Sequence, residues 1–240
     1  MTDGTAATAA AYFGSMADSY DSLIRRAVPR YDEMTARLID YLPSQATRVL
    51  ELGCGTGNLS LQLARRFPRS ALTFVDGSAE MTGLTEARIR AAHQQVGATT
   101  YIVQRFEDLR FPAETFDLVV SSISLHHVED KARLYRQLRS FMTTGGVFAF
   151  ADQFRGDPES NHVLNWNRWL EFCREPGNCT AEEIQSLLDH AAAHDHYVPL
   201  SEHFAMLTRA GFTSVDCVWR NLMWGIVTAT VHSASSTIDS

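Results

Sequence analysis

Between residues 48 and 151, short apolar segments alternate with helical ones, and this alternation restricts the possible folds more than any other feature. Five segments are predicted to be strands, at 48–52, 71–75, 101–104, 116–121 and 147–151. Helices with apolar residues at helical spacing are predicted between strands, at 58–67, 79–92 and 131–141. Strands separated by helices pair in parallel through right-handed crossovers, and strands this apolar are buried on both faces. The pattern therefore predicts an α/β fold with a Rossmann-like, doubly wound sheet.

The alternation ends after residue 152. Helices are predicted at 161–173, 180–196 and 201–210 with no strand between them. Two further strands, at 215–220 and 223–231, are separated only by Asn221 and Leu222, a spacing typical of a hairpin. We therefore expect a mainly parallel, seven-stranded sheet that ends in an antiparallel C-terminal hairpin.

Residues 11–232 are predicted to form one domain with two helical additions. Residues 11–42 have a helical pattern broken at Pro29 and are expected to form an N-terminal helical lid. Residues 153–197 are expected to form a helical cap insert over the strand ends. The small, polar segments at the two ends are predicted to be flexible tails, at 1–10 and 233–240.

The formal net charge of −7 over 240 residues indicates an acidic surface, which repels phosphate backbones and anionic lipid. We expect a small-molecule substrate and neither nucleic acid nor a membrane as partner; a homodimer is left open. Arg25, Arg26 and Arg30 are expected to lie on a solvated helix face rather than to form a basic patch. The N-terminal residues lack the pattern of a secretion signal, and the four cysteines are expected to be free thiols. These features predict a cytoplasmic protein.

A glycine-rich loop, Glu51-Leu52-Gly53-Cys54-Gly55-Thr56-Gly57, follows the first predicted strand and precedes a helix. Ligands of open α/β sheets bind at such strand ends, where side chains on Gly53 and Gly55 would block their approach. The amides that begin the next helix favour an anionic group. A dinucleotide fingerprint would have a third glycine at Asn58. The spacing found here is GxGxG, with Glu51 two residues before the first glycine, so it departs from the dinucleotide pattern.

Asp76 ends the second strand, and its carboxylate is suited to accept hydrogen bonds from both hydroxyls of a ribose. Capping of the next helix is an alternative role for Asp76 and is compatible with the first. Met81 lies one turn into that helix, where it either covers an adenine face or simply packs in the core.

With these motifs, the chain resembles the class I S-adenosylmethionine-dependent methyltransferases. The resemblance is carried by VLELGCGTGNLS, FVDGSAEM, FEDLRFPAETFDLVVSSISLHHVED and TTGGVFAF, and by the late stretch LTRAGFTSVDCVWRNLMWGIV. A nearer likeness, through IRRAVPRY and the helical insert, is to bacterial carboxy-S-adenosylmethionine synthases and related uncharacterised methyltransferases. The resemblance implies S-adenosyl-L-methionine as cofactor and cofactor contacts from Tyr31, Glu51, Gly53, Cys54, Gly55, Asp76, Gly77, Met81 and Ser122.

Two departures from that group bear on the cofactor. At the adenine position, where most relatives carry an aspartate, this chain has Arg105, so the backbone of Phe106 or the carboxylates of Glu107 and Asp108 are expected to replace that contact. Carboxy-S-adenosylmethionine synthases hold their extra carboxylate with an arginine of the insert, but residues 184–200 contain neither Arg nor Lys. Ordinary S-adenosylmethionine is therefore the predicted cofactor.

Methyl transfer from a sulfonium needs alignment of the acceptor and only sometimes a base. His126 and His127 follow the fourth strand and are the candidate bases; the alternative is that one only completes a loop hydrogen bond. Tyr20 of the predicted lid is a third catalytic candidate, or a packing residue. Asp152, which ends the fifth strand, is expected to face the same crevice.

No metal site is predicted. His190 and His194 share a helix face and His196 follows, but a solvated helix surface is the favoured interpretation of these histidines. Trp166, Trp169 and Phe172 have helical spacing and are interpreted as core, with an aromatic substrate wall as the alternative.

Three other functions are weighed against a small-molecule methyltransferase. The likeness to carboxy-S-adenosylmethionine synthases suggests a role in tRNA modification, which the missing arginine of the insert weakens. A non-catalytic cofactor-binding module is disfavoured by the intact loop and Asp76. A dinucleotide oxidoreductase is disfavoured by Asn58 in place of the third glycine.

Overall fold

The computed structural model describes residues 19–92 and 97–232 of the chain. Seven strands form one sheet in the order β3-β2-β1-β4-β5-β7-β6. Only β7 runs antiparallel to its neighbours β5 and β6, so the predicted fold is confirmed. The strands are β1 (Arg48–Leu52), β2 (Ala71–Asp76), β3 (Thr99–Val103), β4 (Phe116–Ser122), β5 (Met142–Gln153), β6 (Thr213–Asn221) and β7 (Trp224–Thr230).

Eight α-helices lie within the described ranges. They are α1 (Tyr20–Ala27), α2 (Tyr31–Asp40), α3 (Asn58–Arg66), α4 (Ala79–Ala91), α5 (Lys131–Phe141), α6 (Glu159–Arg174), α7 (Ala181–His194) and α8 (Leu200–Arg209). The predicted break at Pro29 separates α1 from α2, and Arg30 there has a left-handed φ of 62°. Residues 11–18 of the predicted lid and the tails at 1–10 and 233–240 lie outside the described residues.

The fifth strand begins earlier than predicted. The pattern predicts a helix that ends at 141 and a strand that begins at 147, but β5 starts at Met142, directly after α5. Phe116 of β4 pairs with Met142 and Leu118 pairs with Val147, so the register shifts between these two pairs and Gly145 and Gly146 lie in a bulge within β5. Gly145, at φ 81°, donates its amide to the carbonyl of Val231, a partner that no local pattern reveals.

The turn of the C-terminal hairpin also differs from the prediction. Asn221 is still paired in β6, opposite Trp224 of β7, so the turn consists of Leu222 and Met223. Leu222 adopts a left-handed φ of 51° there, an unfavourable conformation for a leucine that the hairpin geometry imposes.

Alternate residues of the central strands pack on opposite faces of the sheet, as expected for strands buried on both sides. Val49, Leu118 and Ala149 belong to the cluster that also holds residues of α1, α2, α3, α6 and α7. Leu50 and Val119 belong to the other cluster, with residues of α5 and α8.

Helices α1, α6 and α7 are joined by specific contacts. Trp169 of α6 is buried and donates its indole N–H to the carbonyl of Ala27 at 2.8 Å, so the core interpretation fits this tryptophan. Arg26 of α1 forms a bidentate pair with Glu183 of α7, with both N–O distances 2.7 Å. These contacts hold α1 against the insert.

All four cysteines lie in the described ranges and none forms a disulfide, as predicted. Within those ranges no helix combines the length and apolarity needed to cross a membrane.

Candidate functional site

A cavity of about 680 Å³ lies where β1, β2 and β4 end, the position at which open α/β sheets bind ligands. It is bordered by the glycine loop below and by residues from α1 and the end of α7. Every cofactor contact predicted from the sequence lines this cavity, and so do Tyr20 and His127. The predicted lining residues are Tyr31, Glu51, Gly53, Cys54, Gly55, Asp76, Gly77, Met81, Arg105, Phe106 and Ser122.

Gly53 and Gly55 are required for different reasons. Gly53 has a φ of 73°, and a Cβ on it would lie 2.4 Å from the Cβ of Ser124, so no side chain fits. Gly55 has a φ of 52°, but nothing lies within 4 Å of the position its Cβ would take. A side chain on Gly55 would therefore extend into open space at the cavity.

Asp76 lies directly beside the loop, as the sequence analysis required. One carboxylate oxygen accepts the amide of Gly55 at 2.9 Å and the other accepts that of Ser78, also at 2.9 Å. Burial raises the pKa of Asp76 above its ordinary value, although the amides of Ser78, Gly55 and Gly77 oppose that shift. Each oxygen keeps a further acceptor position for a ligand.

Glu51 is almost fully buried at the floor of the cavity. Burial raises its pKa to about 8; the nearby Ser60 hydroxyl opposes this shift, and the charge of Asp76 adds to it. At neutral pH Glu51 is therefore held mainly as the uncharged acid.

Met81 and Phe106 border the side of the cavity next to β2 and β3. Met81 is buried in the first turn of α4, and the Phe106 carbonyl accepts from Gln137 at 3.1 Å. The Arg105 side chain is 74% exposed and pairs with Glu107 at 3.2 Å. The apolar part of this wall thus comes from Met81 and Phe106.

Asp21 of α1 fixes this helix above the glycine loop, a role that sequence reasoning missed. Its carboxylate accepts from Thr56 at 2.5 Å, from Asn58 at 2.9 Å and from Arg88 of α4 at 2.5 Å. Burial would raise the pKa of Asp21, but the hydrogen bonds from Thr56 and Arg88 lower it overall. The adjacent Tyr20 is thereby placed against the cavity.

The two candidate histidines have different surroundings. His127 borders the large cavity, whereas His126 borders a small adjoining cavity of about 70 Å³. His126 Nδ1 lies 2.5 Å from Asp152, which also accepts the amides of Leu125 and His126. The expectation that Asp152 faces the crevice is wrong, because these bonds bury it at 1% exposure behind His126.

The insert contributes the carboxylate of Asp195 to this group of side chains. Asp195 Oδ1, in the segment after α7, lies 2.9 Å from His127 Nδ1, 3.8 Å from His126 Nε2 and 3.7 Å from His190 Nε2. The phenol of Tyr197 donates to Asp195 Oδ2. Tyr20 borders both cavities, so the cluster lies along their shared wall.

His190 corrects the expectation of a solvated helix surface. It is 8% exposed, because α7 packs over the strand ends and turns this side chain toward Asp195. Burial lowers the pKa of His190 to about 4, even though the charge of Asp195 opposes that shift. His194 and His196, in contrast, border the large cavity.

Residues 49–146 match the family model described as a methyltransferase domain. Among curated proteins, the malonyl-[acyl-carrier protein] O-methyltransferase of Magnetococcus marinus is 36% identical over 149 residues, which is 61% of this chain and 50% of the relative. The chain spans half or less of the length of the first curated relatives that it matches.

Two relatives match along most of both chains. The ubiquinone/menaquinone biosynthesis C-methyltransferase UbiE of Xylella fastidiosa is 32% identical over 92% of this chain and 87% of its own. The carboxy-S-adenosyl-L-methionine synthase of a Nitratiruptor species is 24% identical over 85% of this chain and 86% of its own, as the sequence likeness predicted.

Solved structures show the same fold. A Haemonchus contortus phosphoethanolamine N-methyltransferase in complex with S-adenosylhomocysteine superposes with a TM-score of 0.67 at 13% identity, over 92% of this chain and 58% of that one. Together with the full-length similarity to UbiE, this agreement establishes the family. The chain belongs to the class I methyltransferases that use S-adenosyl-L-methionine as cofactor.

Proposed function

We propose that the chain transfers the methyl group of S-adenosylmethionine to an oxygen, nitrogen or carbon atom of a small molecule. The observation that carries this proposal is the set of residues that line one cavity. The glycine loop, the Asp76 carboxylate and the His127 imidazole all line it, and helices α1 and α7 border it. Such an enclosure suits an acceptor no larger than a metabolite.

We propose one orientation for the cofactor in this cavity. The ribose hydroxyls donate to the acceptor positions that Asp76 keeps beside its bonds to Gly55 and Ser78. The cofactor carboxylate meets the amides at the start of α3. Met81 and Phe106 flank the adenine, as the lining of the cavity supports.

The reaction is an in-line displacement. A lone pair of the acceptor forms a bond to the methyl carbon while the carbon–sulfur bond breaks, and its electrons stay on sulfur as the neutral thioether. An acceptor that carries a proton must lose it during this step. His127 is our candidate for receiving that proton, because burial and the nearby charge of His126 lower the pKa of His127 and keep the imidazole neutral.

Tyr20 has a different role from His127. Burial, with the charges of Tyr31 and Asp76, raises the pKa of the Tyr20 phenol far above its ordinary value. The phenol therefore stays protonated at physiological pH and is suited to donate a hydrogen bond, not to accept a proton from the acceptor. We assign it to positioning of the acceptor.

We propose ordinary S-adenosylmethionine as the cofactor rather than its carboxylated analogue. Among the described residues that line the cavity, Arg105 is the only lysine or arginine, and it pairs with Glu107. An extra carboxylate would find neither lysine nor arginine on residues 184–197, the part of the insert that reaches the cavity. Calorimetric titration with both compounds tests this: equal or tighter binding of the carboxylated analogue contradicts it.

We also propose the domain organisation and partners expected from the sequence. Residues 11–42 act as a lid and 153–197 as a cap on a domain that spans 11–232. A macromolecular anion is not the expected partner, since the four arginines of the N-terminal segment pair with carboxylates: Arg25 with Asp32, Arg26 with Glu183, Arg30 with Glu33 and Arg37 with Asp40. Cytoplasmic location belongs to the same proposal. The homodimer stays an open alternative, and light scattering on the purified chain decides between it and a monomer.

The decisive experiment uses methyl-labelled S-adenosylmethionine and a cell extract separated into small-molecule, RNA and protein fractions. We expect label in the small-molecule fraction together with formation of S-adenosylhomocysteine, and loss of both in Asp76→Ala. Label found only in RNA or protein would contradict a small acceptor. Absence of transfer in every fraction, with normal cofactor binding, would favour a binding module.

A further inference from the structure

The histidines and aspartates on the wall between the two cavities carry an inference about a metal. We propose that His126, His127 and Asp195, assisted by His190, bind one divalent transition metal ion of the zinc or iron(II) class. The ion would lie beside the methyl-transfer cavity and hold an acceptor through an ionisable oxygen. The metal site is argued from the positions of its ligand atoms alone, whereas the binding of an acceptor by the metal rests on the proposed function.

The ligand atoms already converge. One atom each from His126, His127 and Asp195 lies within 4.8 Å of the other two. The distances from Asp195 Oδ1 to the nitrogens of His127, His190 and His126 are 2.9, 3.7 and 3.8 Å. Ligands bound to zinc at tetrahedral angles lie about 3.3–3.4 Å apart, given metal–ligand bonds of roughly 2.0–2.1 Å. The observed separations bracket that value, so small side-chain movements suffice.

An outer layer of hydrogen bonds orients two of these ligands. Asp152 holds His126 Nδ1 at 2.5 Å and is itself fixed by the amides of Leu125, His126 and Gln153. His126 Nε2 is thereby directed toward Asp195. Tyr197 donates to Asp195 Oδ2, which leaves Oδ1 on the side of the imidazoles. A carboxylate–histidine pair of this kind is the usual support of a metal-bound imidazole.

The charge around the cluster also suits a cation. Asp152 and Asp195 bring two negative charges into a buried region. Lys131, buried beside them, brings one positive charge, and His126 brings a second when it is protonated. The Lys131 ammonium group donates to the carbonyls of Val128 and His196. A divalent ion would replace the proton on His126 beside these carboxylates, and imidazole nitrogens favour zinc or iron over magnesium or calcium.

The location of the cluster indicates what the ion would do. His127 borders the large cavity, and His126, His190 and Asp195 border the small one. A position left open on the metal would receive a hydroxyl or enol oxygen of the acceptor. Once it is bound to the metal, His127 no longer serves as the proton acceptor. The metal would lower the pKa of that oxygen, its proton would pass to water, and the oxyanion would attack the methyl carbon as the carbon–sulfur bond breaks.

Metal analysis tests the proposal directly. Protein without a histidine tag is dialysed, incubated in turn with Zn²⁺, Fe²⁺ under anaerobic conditions, Mn²⁺ and Mg²⁺, and analysed by mass spectrometry. Co²⁺ serves as a spectroscopic probe of low coordination number. We expect close to one equivalent of Zn²⁺ or Fe²⁺, little Mg²⁺, and a visible band with Co²⁺.

Variants separate the site from adventitious binding. Asp195→Asn removes a ligand and is expected to abolish retention, and Asp152→Asn is expected to weaken affinity about 10–100-fold as an outer-layer change. Asp189→Asn, the same substitution on an exposed position of α7, is the matched control and should retain the metal.

Calorimetric binding of S-adenosylmethionine shows which proposal fails. Less than a tenth of an equivalent of metal and no Co²⁺ band in protein that binds the cofactor would overturn the metal site, leaving the cluster as a metal-free hydrogen-bond relay. Loss of retention in Asp189→Asn as severe as in Asp195→Asn would also overturn it. Metal retention without cofactor binding would instead contradict the proposed function.

Discussion

Replacement of Asp76 by alanine tests the assignment of the nucleoside end of the cavity. A carboxylate has about four acceptor positions, and the amides of Gly55 and Ser78 occupy two of them. Two remain for the ribose hydroxyls. A hydrogen bond to a charged group contributes about 1.5–3 kcal/mol. The lower figure for two bonds gives about 3 kcal/mol, which corresponds to a roughly 100-fold increase in Kd.

Calorimetric titration with S-adenosylmethionine and with S-adenosylhomocysteine measures this loss, which should be similar for both ligands because both contain the ribose. Asp117→Ala is the matched control. Asp117 accepts the amides of Thr47 and Arg48 at the start of β1, at the opposite end of the sheet. We expect Asp117→Ala to lower the free energy of unfolding and leave Kd within about twofold. A change below fivefold in folded Asp76→Ala protein would refute the assignment.

Three further outcomes follow from the geometry. Because Gly55 has a left-handed φ, Gly55→Ala should lower the free energy of unfolding by about 1–2 kcal/mol and raise the Kd for the cofactor more than tenfold, as measured by calorimetry. Gly83→Ala, in an open position of α4, should leave stability unchanged or raise it. In the wild type, Glu51 has a folded pKa of about 8 and holds a proton that the unfolded chain releases near 4.5, so the free energy of unfolding should fall as pH rises from 5 to 8. Glu51→Gln lacks this proton and should therefore become more stable relative to the wild type over the same range, as measured by urea unfolding. Equal pH dependence of unfolding in the two proteins would contradict this. Arg26→Gln breaks the ion pair with Glu183, in which both side chains are 29% exposed, so it should lower the free energy of unfolding by no more than about 1 kcal/mol. It should nevertheless speed proteolytic cleavage within α1. An unchanged rate of cleavage would contradict the proposed link between α1 and α7.

The sheet and the cofactor end of the site were predictable because their signals are local. Strands β1, β2 and β4 are nearly continuous apolar runs, and each ends in polar or glycine residues. Parallel strands end at one edge, so Gly53 and Asp76 had to meet once the strands were identified. The start of β5 differs from the predicted start because Gly145 donates its amide to Val231, a residue 86 positions away in the sequence.

The acceptor end was less predictable for a physical reason. Asp195 follows a helix in a segment without periodic pattern, and its contacts with His126 and His127 join residues almost 70 positions apart. Only the path of the insert over the strand ends creates them. His190 was misread for the same reason: its spacing on α7 does not reveal which face of that helix the sheet covers.

Helix α1 is attached on both sides, to the glycine loop and α4 through Asp21 and to α7 through Arg26. One short segment thus closes off the nucleoside and the acceptor together. S-adenosylhomocysteine and the methylated product are both released only after α1 moves away from the loop, so their release rates are linked. Slow turnover in such an enzyme would reflect the opening of this gate rather than the bond-making step.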